Sequence, residues 1–256
     1  MFSLVNTAYA AEEAGIHVAL KPYVLGEFFG IPLTATMVTT WLTMVIILAL
    51  ALMVRSKLAL IPGKLQSATE MVVGGVYDYM SDVLESKQMA LKYFPVVMTI
   101  FIFVLALNWV GLLPGVTSIG FNHDGHFTPL LYPAATDLNI TLAFAIIAFF
   151  TIEIAGVLAI GFFKYGGKFI NFSSPLNFII GLIELISELA RLISFSFRLF
   201  GNIFAGKTLL VVVMFFIPYV VPVPLYAFEV FVGFIQAFIF AILTLFFIKL
   251  AVAEPH

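Results

Sequence analysis

The chain has 256 residues, 62% of them hydrophobic and only 10% charged, with 29 Phe and a mean hydropathy of +1.14. Soluble globular domains carry about 25% charged residues, so this composition excludes that class. With no cysteine, disulfides, thiolate metal sites and cysteine nucleophiles are excluded together, and a formal net charge of −2 points to no particular partner.

From the N-terminus, Met1–Val5 is too short for the apolar region of a signal peptide. Ala8-Tyr9-Ala10 only imitates a cleavage site, so no cleaved leader is expected. A membrane span needs about 20 apolar residues. The clear candidates are residues 34–54, 93–113, 139–163 and 225–250. Between the first and second lies residues 63–91, where Val72, Val76, Met80 and Leu84 recur at four-residue spacing with acids on another side. That pattern predicts an amphipathic helix on the membrane surface, with a solvated connector as the competing reading. A fifth apolar stretch runs from Pro175 to Pro218 without an internal proline. As one helix it would be about 60 Å long, too long to stand upright in a hydrocarbon core of about 30 Å. Gly181, Gly201 and Gly206 are weak breakers, so one tilted helix over 176–216 is expected.

Basic residues set the orientation. Arg55, Lys57 and Lys64 follow the first span, and Lys87 and Lys92 precede the second. Lys164 and Lys168 precede the long helix, and Lys249 ends the last. Residues 114–138 and 217–224 contain no Lys or Arg. Basic residues thus mark every second connection, which places the N-terminus outside and the C-terminus in the cytoplasm. That topology needs an odd number of crossings, and five satisfies it. The expected fold is an all-α, polytopic membrane protein: a single membrane domain over 1–256, with five crossing helices including a long tilted helix pair, and one amphipathic surface helix. The absence of an internal repeat argues against an inverted-repeat transporter.

Arg198 lies deep in the long apolar stretch. A permanent cation at the bilayer centre costs at least ~2.5–3.5 kcal/mol, so its retention implies use. The competing reading is an arginine that snorkels to an interface or pairs with a carboxylate. The same helix carries Glu184, Glu188, Arg191, Ser194, Asn202 and Lys207. The final helix carries Glu229 and Gln236, seven apart and therefore on one face. Glu184 lies about 21 Å along the axis on one side of Arg198, and Lys207 about 13 Å on the other. If Gln236 sits opposite Arg198, Glu229 and Lys207 reach similar depth, and an ion pair between them is expected. Two polar zones at opposite faces, separated by one cation, suit ion handling through offset half-channels. No zinc spacing, serine–histidine set or phosphate-cradling glycine loop occurs at membrane depth. His123-Asp124-Gly125-His126 reads as an exposed polar loop and not a metal site; no metal and no cofactor is expected. Glu153, in the middle of a span, is left open between a functional and a structural role.

Four segments carry a family resemblance: Phe197–Gly206 (FRLFGNIFAG), Gln236–Phe240 (QAFIF), Pro133–Asn139 (PAATDLN) and Leu107–Pro114 (LNWVGLLP). Together they resemble subunit a of the F-type rotary ATP synthases, and the resemblance extends from His17 to the C-terminus. It implies a non-catalytic stator protein beside a ring of hairpin subunits with mid-membrane carboxylates. Peripheral-stalk membrane subunits, a soluble ATPase head and the lipid bilayer complete its surroundings, with no nucleic acid. Arg198 corresponds to the family's essential, channel-separating arginine and Gln236 to its partner. Glu229 matches an outer half-channel position and Glu184 an inner one. Asn202 and Ser194 match further polar positions, Glu188 goes with Glu184, and Asp137 and Asn139 go with the outer side. Lys207 departs from the family, which commonly has Glu or His there. The implied function is proton translocation, with sodium as the other ion, coupled to ATP synthesis. The alternative is a rotor-independent secondary transporter or cation channel. A bacterial plasma membrane is the expected location, with an organelle inner or thylakoid membrane as the alternative.

Overall fold

The computed structural model describes residues 21–28, 30–123, 126–169 and 174–253. The expectation about a leader, and residues 124–125 of the histidine turn, lie outside the described residues. The chain enters through an antiparallel hairpin, β1 (Val24–Phe28) and β2 (Ile31–Thr34), whose turn uses Gly30 at φ +78. Thr34 then caps helix α1 (Ala35–Ser56), its side chain accepting from the Met37 N–H.

The amphipathic segment is two elements, not one. Helix α2 spans Lys64–Leu84 and α3 spans Lys87–Leu112. Glu85 adopts the left-handed conformation at φ +53, and Ser86 accepts from the Met89 N–H as the cap of α3. The expected helix over 63–91 is therefore cut at 85–86, and the next span begins at 87 instead of 93. Ser86 ahead of Met89, Ala90 and Tyr93 is a start signal; the polar stretch from Ser81 to Gln88 reads equally as the solvated face of one continuing helix, which concealed the break.

A 3-10 turn (Val116–Ser118) leads to a second hairpin, β3 (Gly120–His123) and β4 (His126–Pro129). Gly120 is required there, because a Cβ would overlap the Thr128 carbonyl and the Pro129 Cα. Neither hairpin was expected, since both are short and lack a clear alternation of apolar and polar residues. Asp137 caps α4 (Leu138–Ile160), which is followed by the short α5 (Phe162–Gly166). Helix α6 runs unbroken over Pro175–Phe216, 42 residues, with Ser174 as cap and Pro175 at its start. The last helix, α7, covers Pro222–Val252.

Helices α1, α3, α4, α6 and α7 are each long and apolar enough to cross a membrane, so the fold is an all-α, polytopic membrane protein. Their alternating directions give the bundle two ends. One carries the two hairpins and is here the hairpin end. The other carries α2, Lys57 and Lys249 and is the basic end. The core joins α2, α3, α4, α6 and α7 around small residues such as Ala90, Ala145, Ala148 and Ala237. Small side chains let helix axes approach where no water drives association. Phe195 of α6 stacks on Phe240 of α7 with centroids 5.0 Å apart. Asn108 of α3 donates to the Gly233 carbonyl of α7 at 2.9 Å, and the neighbouring Trp109 indole donates to Val230 at 3.2 Å. Helix α1 is peripheral: Trp41, Val45, Leu48 and Leu52 face outward, as lipid contact allows.

Candidate functional site

The contacts between α6 and α7 set the level of each polar group. Phe195 meets Phe240, and Gly206 meets Glu229 further along. Between those contacts the antiparallel register brings Arg198 level with Gln236. Gln236 is buried at 8% exposure, whereas Arg198 is half-buried on an open face. One guanidinium nitrogen donates to the Ser194 hydroxyl at 3.4 Å. Among the described residues, no carboxylate lies within 4.0 Å of Arg198. Ser194 and Asn202, four residues to either side, are exposed, as are Ile193 and Phe197. The helix thus presents a cation, two small polar groups and large apolar side chains on one uncovered face.

Toward the hairpin end lies the first polar zone. Glu229 is 5% exposed and its carboxyl fills the space above Gly206, where any Cβ would overlap it. Asp137 is also 5% exposed; it accepts from the Thr36 hydroxyl at 2.7 Å and from the Asn139 N–H at 2.9 Å. Asn139 itself is exposed, and its contribution here is a backbone one. Thr141 of α4 and Ser196 of α6 share a hydrogen bond at 3.2 Å.

The expected Lys207–Glu229 ion pair is not formed. The Lys207 ammonium lies 3.0 Å from the centroid of the Tyr132 ring and has no hydrogen-bond partner among the described residues, and Glu229 is not within 4.0 Å of it. The physical reason is rotational. One residue along a helix turns the side chain by about 100°. Because Gly206 faces Glu229, Lys207 faces the loop before α4 instead. Depth along the axis was legible from the sequence; azimuth against the neighbouring helix was not.

At the basic end lies the second zone. Lys168 reaches Glu184 at 2.6 Å and Glu188 at 3.8 Å, and Arg191 pairs with Glu188 at 2.5 Å. The Arg191 guanidinium also lies over Phe247 of α7, 3.8 Å from the ring centroid. These groups line a cavity of about 330 Å³ together with Tyr165. Glu188 is 4% exposed, Glu184 is half-buried. From the sequence, Lys168 is legible only as a charge that orients the chain, and Tyr165 carries no signal of its own. A lysine just before a helix whose inner face carries two glutamates was the available signal.

A cation without a counter-charge therefore stands between two clusters of ionisable groups at opposite ends of one helix pair. A family model described as the ATP synthase A chain matches residues 37–249. The chain belongs to that family. Subunit a of ATP synthase from Campylobacter curvus is 36% identical over 216 residues, covering 84% of this chain and 89% of that protein. ATP synthase subunit a 3 of Pelobacter propionicus is 33% identical over 219 residues, covering 85% and 87%. Subunit a from Campylobacter jejuni subsp. jejuni serotype O:23/36 is 37% identical over 206 residues, covering 79% and 83%. The A-chain family match covers every element from α1 to nearly the end of α7, so the bundle, Arg198 and both polar zones fall within it.

Proposed function

We propose that this chain is the ion-translocating, non-catalytic membrane subunit of an F-type ATP synthase, moving protons through two offset half-channels. The observation that carries the reading is Arg198, a permanent cation in mid-helix with no carboxylate partner among the described residues, on a face left open. An unpaired guanidinium facing lipid would be strongly unfavourable. A partner that brings a carboxylate to that depth relieves the cost, and a ring of hairpin subunits with mid-membrane carboxyl groups has that chemistry. Arg198 attracts each ionised ring carboxylate as it arrives and, as a fixed positive charge, blocks proton passage from one zone to the other. Gln236, at the same level on α7, orients the guanidinium and the arriving carboxylate.

The zone of Asp137, Asn139, Lys207 and Glu229 forms one half-channel, and that of Glu184 and Glu188 the other. Ser194 and Asn202 extend the polar track along the ring-facing surface. By the distribution of Lys and Arg, the basic end faces the cytoplasm and the N-terminus lies outside, in a bacterial inner membrane. The ring, the peripheral-stalk subunits and the soluble head are the partners. A rotor-independent transporter is disfavoured, because it needs a substrate site of its own between broken helices and α6 is continuous.

The test is ATP-driven proton pumping in vesicles with Arg198→Ala, Arg198→Gln and Arg198→Lys. Alanine and glutamine are expected to abolish pumping, and lysine to rescue it only weakly because it lacks the planar guanidinium fork. Normal pumping by Arg198→Ala would overturn the reading. Single cysteines placed in this cysteine-free chain test the orientation: labelling of 165–168 and 217–221 from the same side would overturn it.

A further inference from the structure

The cavity at the basic end has a second row behind it. Glu153 of α4 is not on the cavity wall, but it lies within electrostatic contact of two residues that are, Tyr165 and Glu188. Tyr165 is seated by a notch: its ring packs against Gly156, where a Cβ would overlap the ring atoms and approach the hydroxyl. Gly156 is one turn from Glu153 on the same helix, so the notch aims the hydroxyl toward that carboxyl. Tyr165 is 4% exposed, and among the described residues neither its hydroxyl nor the buried Oε1 of Glu153 makes a hydrogen bond of full geometry, although the two groups lie close enough to interact. Buried polar atoms are rarely left unpaired, and a roomy polar cavity beside them lets water supply the missing partner.

Charge decides which carboxyl is free to change state. Glu184 is paired with Lys168, and Glu188 with Arg191 and Lys168. A proton added to either weakens an ion pair. Glu153 has no cation within 4.0 Å among the described residues, so a proton added to it breaks none. The titratable and charged groups that act on it are Tyr165, Lys168 and Glu188, with Glu184 and Arg191 beyond them on the cavity wall. The stretch of α7 on the cavity wall contributes Phe247, Leu250 and Ala251 and no ionisable group. Burial, and then the Glu153 charge, raises the Tyr165 hydroxyl above the usual tyrosine range, so it remains a donor.

We propose that Glu153 is a proton-storing group of the half-channel that opens at the basic end, with Tyr165 as its positioning donor and Glu188 as its link to α6. The proposal rests on the half-channel reading above. The step is a simple proton transfer. An O–H bond forms at a Glu153 carboxylate oxygen as one breaks in a hydronium of the cavity, and the reverse returns the proton to water. When the complex hydrolyses ATP and pumps outward, protons are drawn from the basic end. A storage group there sustains uptake where free protons are scarce.

The experiment measures ATP-driven pumping by the intact complex in inverted vesicles as a function of external pH, with assembly checked on native gels. Glu153→Gln keeps size and hydrogen-bonding shape but holds no proton. The expected result is a several-fold loss confined to the alkaline limb of the profile, with the acid limb near wild type. Glu153→Asp restores part of that limb, and Tyr165→Phe, which keeps the ring in its notch, loses a smaller part of it. A Glu153→Gln profile that superimposes on wild type overturns the proposal. So does a loss uniform across pH, which marks a packing role. If Glu153→Gln fails to assemble, Tyr165→Phe decides by the same criterion. Arg198→Ala, run in parallel, separates the two levels. Its normal pumping would remove the half-channel reading itself, whereas its inactivity beside a wild-type Glu153→Gln profile removes only this inference.

Discussion

Lys207 offers the sharpest test of the geometry. Its ammonium is buried against the Tyr132 ring without a hydrogen-bond partner. A desolvated cation–π contact contributes about 2 kcal/mol. Taking an ammonium out of water costs several kcal/mol even after relaxation. Desolvation therefore outweighs the ring contact, and Lys207→Met, which keeps the length and loses the charge, should leave the assembled complex as stable or more so. The contact with Tyr132 still predicts coupling. In a double-mutant cycle of Lys207→Met with Tyr132→Leu, an interaction of about 1–2 kcal/mol appears as a roughly 5–30-fold departure from multiplicative behaviour. The cycle with Glu229→Gln should be additive within about 0.3–0.5 kcal/mol, because those two groups make no ion pair. The assay is the half-life of the intact complex at a fixed elevated temperature, read on native gels, which does not require activity. Two results refute the reasoning: a larger coupling of Lys207 to Glu229 than to Tyr132, or a shortened half-life for Lys207→Met alone.

Thr36→Val removes the donor to the buried Asp137 carboxylate at the start of α4. A hydrogen bond to a charged group is worth about 1.5–3 kcal/mol, so lower heat resistance of the complex is expected. Asn108→Ala deletes the α3–α7 hydrogen bond to Gly233, with an expected cost of about 0.6–1.7 kcal/mol on the same assay. Gly156→Ala forces the Tyr165 ring out of its notch; proton pumping should then lose the same alkaline limb as Tyr165→Phe. Lys249 holds the Glu85 carboxyl below the usual carboxylate range, first by hydrogen bond and then by charge. A lowered acidic group stabilises above its unfolded pKa and loses that contribution as pH falls through its folded one. The difference between wild type and Glu85→Gln should therefore vanish in acid, and high salt should shrink it at neutral pH.

Sequence alone made the spans and their order legible, because lipid imposes length and apolarity on any segment that crosses it. The chain's polar residues in apolar runs were legible for the same reason: Arg198, Glu229 and Gln236 stand out against phenylalanine and leucine. Three things were not. The break at Glu85–Ser86 depends on one left-handed residue and one cap, which a hydropathy window averages away. The hairpins depend on pairing between short strands with little alternation. The partner of Lys207 depends on how α6 is rotated, and that is fixed by Gly206, the only residue type that leaves room for the Glu229 carboxyl.

The same rotation supports the proposed role of the open face. Around α6, Phe195, Ser196, Leu199, Ile203 and Gly206 point inward to α4 and α7 and are buried. Ile193, Ser194, Phe197, Asn202, Ala205 and the edge of Arg198 remain outward. Serine and asparagine gain nothing from lipid, and a guanidinium loses heavily there. A helix that faced only lipid would be expected to carry apolar side chains at those positions, as α1 does at Val45, Leu48 and Leu52. Small and polar groups among the outward residues suit close approach of another protein, as the proposed contact with a moving ring requires. That requirement also accounts for the inward placement of both ionisable clusters. Glu229 and Glu188 are buried between helices of this chain, where a passing partner does not displace them, and Arg198 sits level with the gap between them. On the proposed reading, the fold fixes two polar compartments and leaves the one step between them to a carboxylate supplied by another chain.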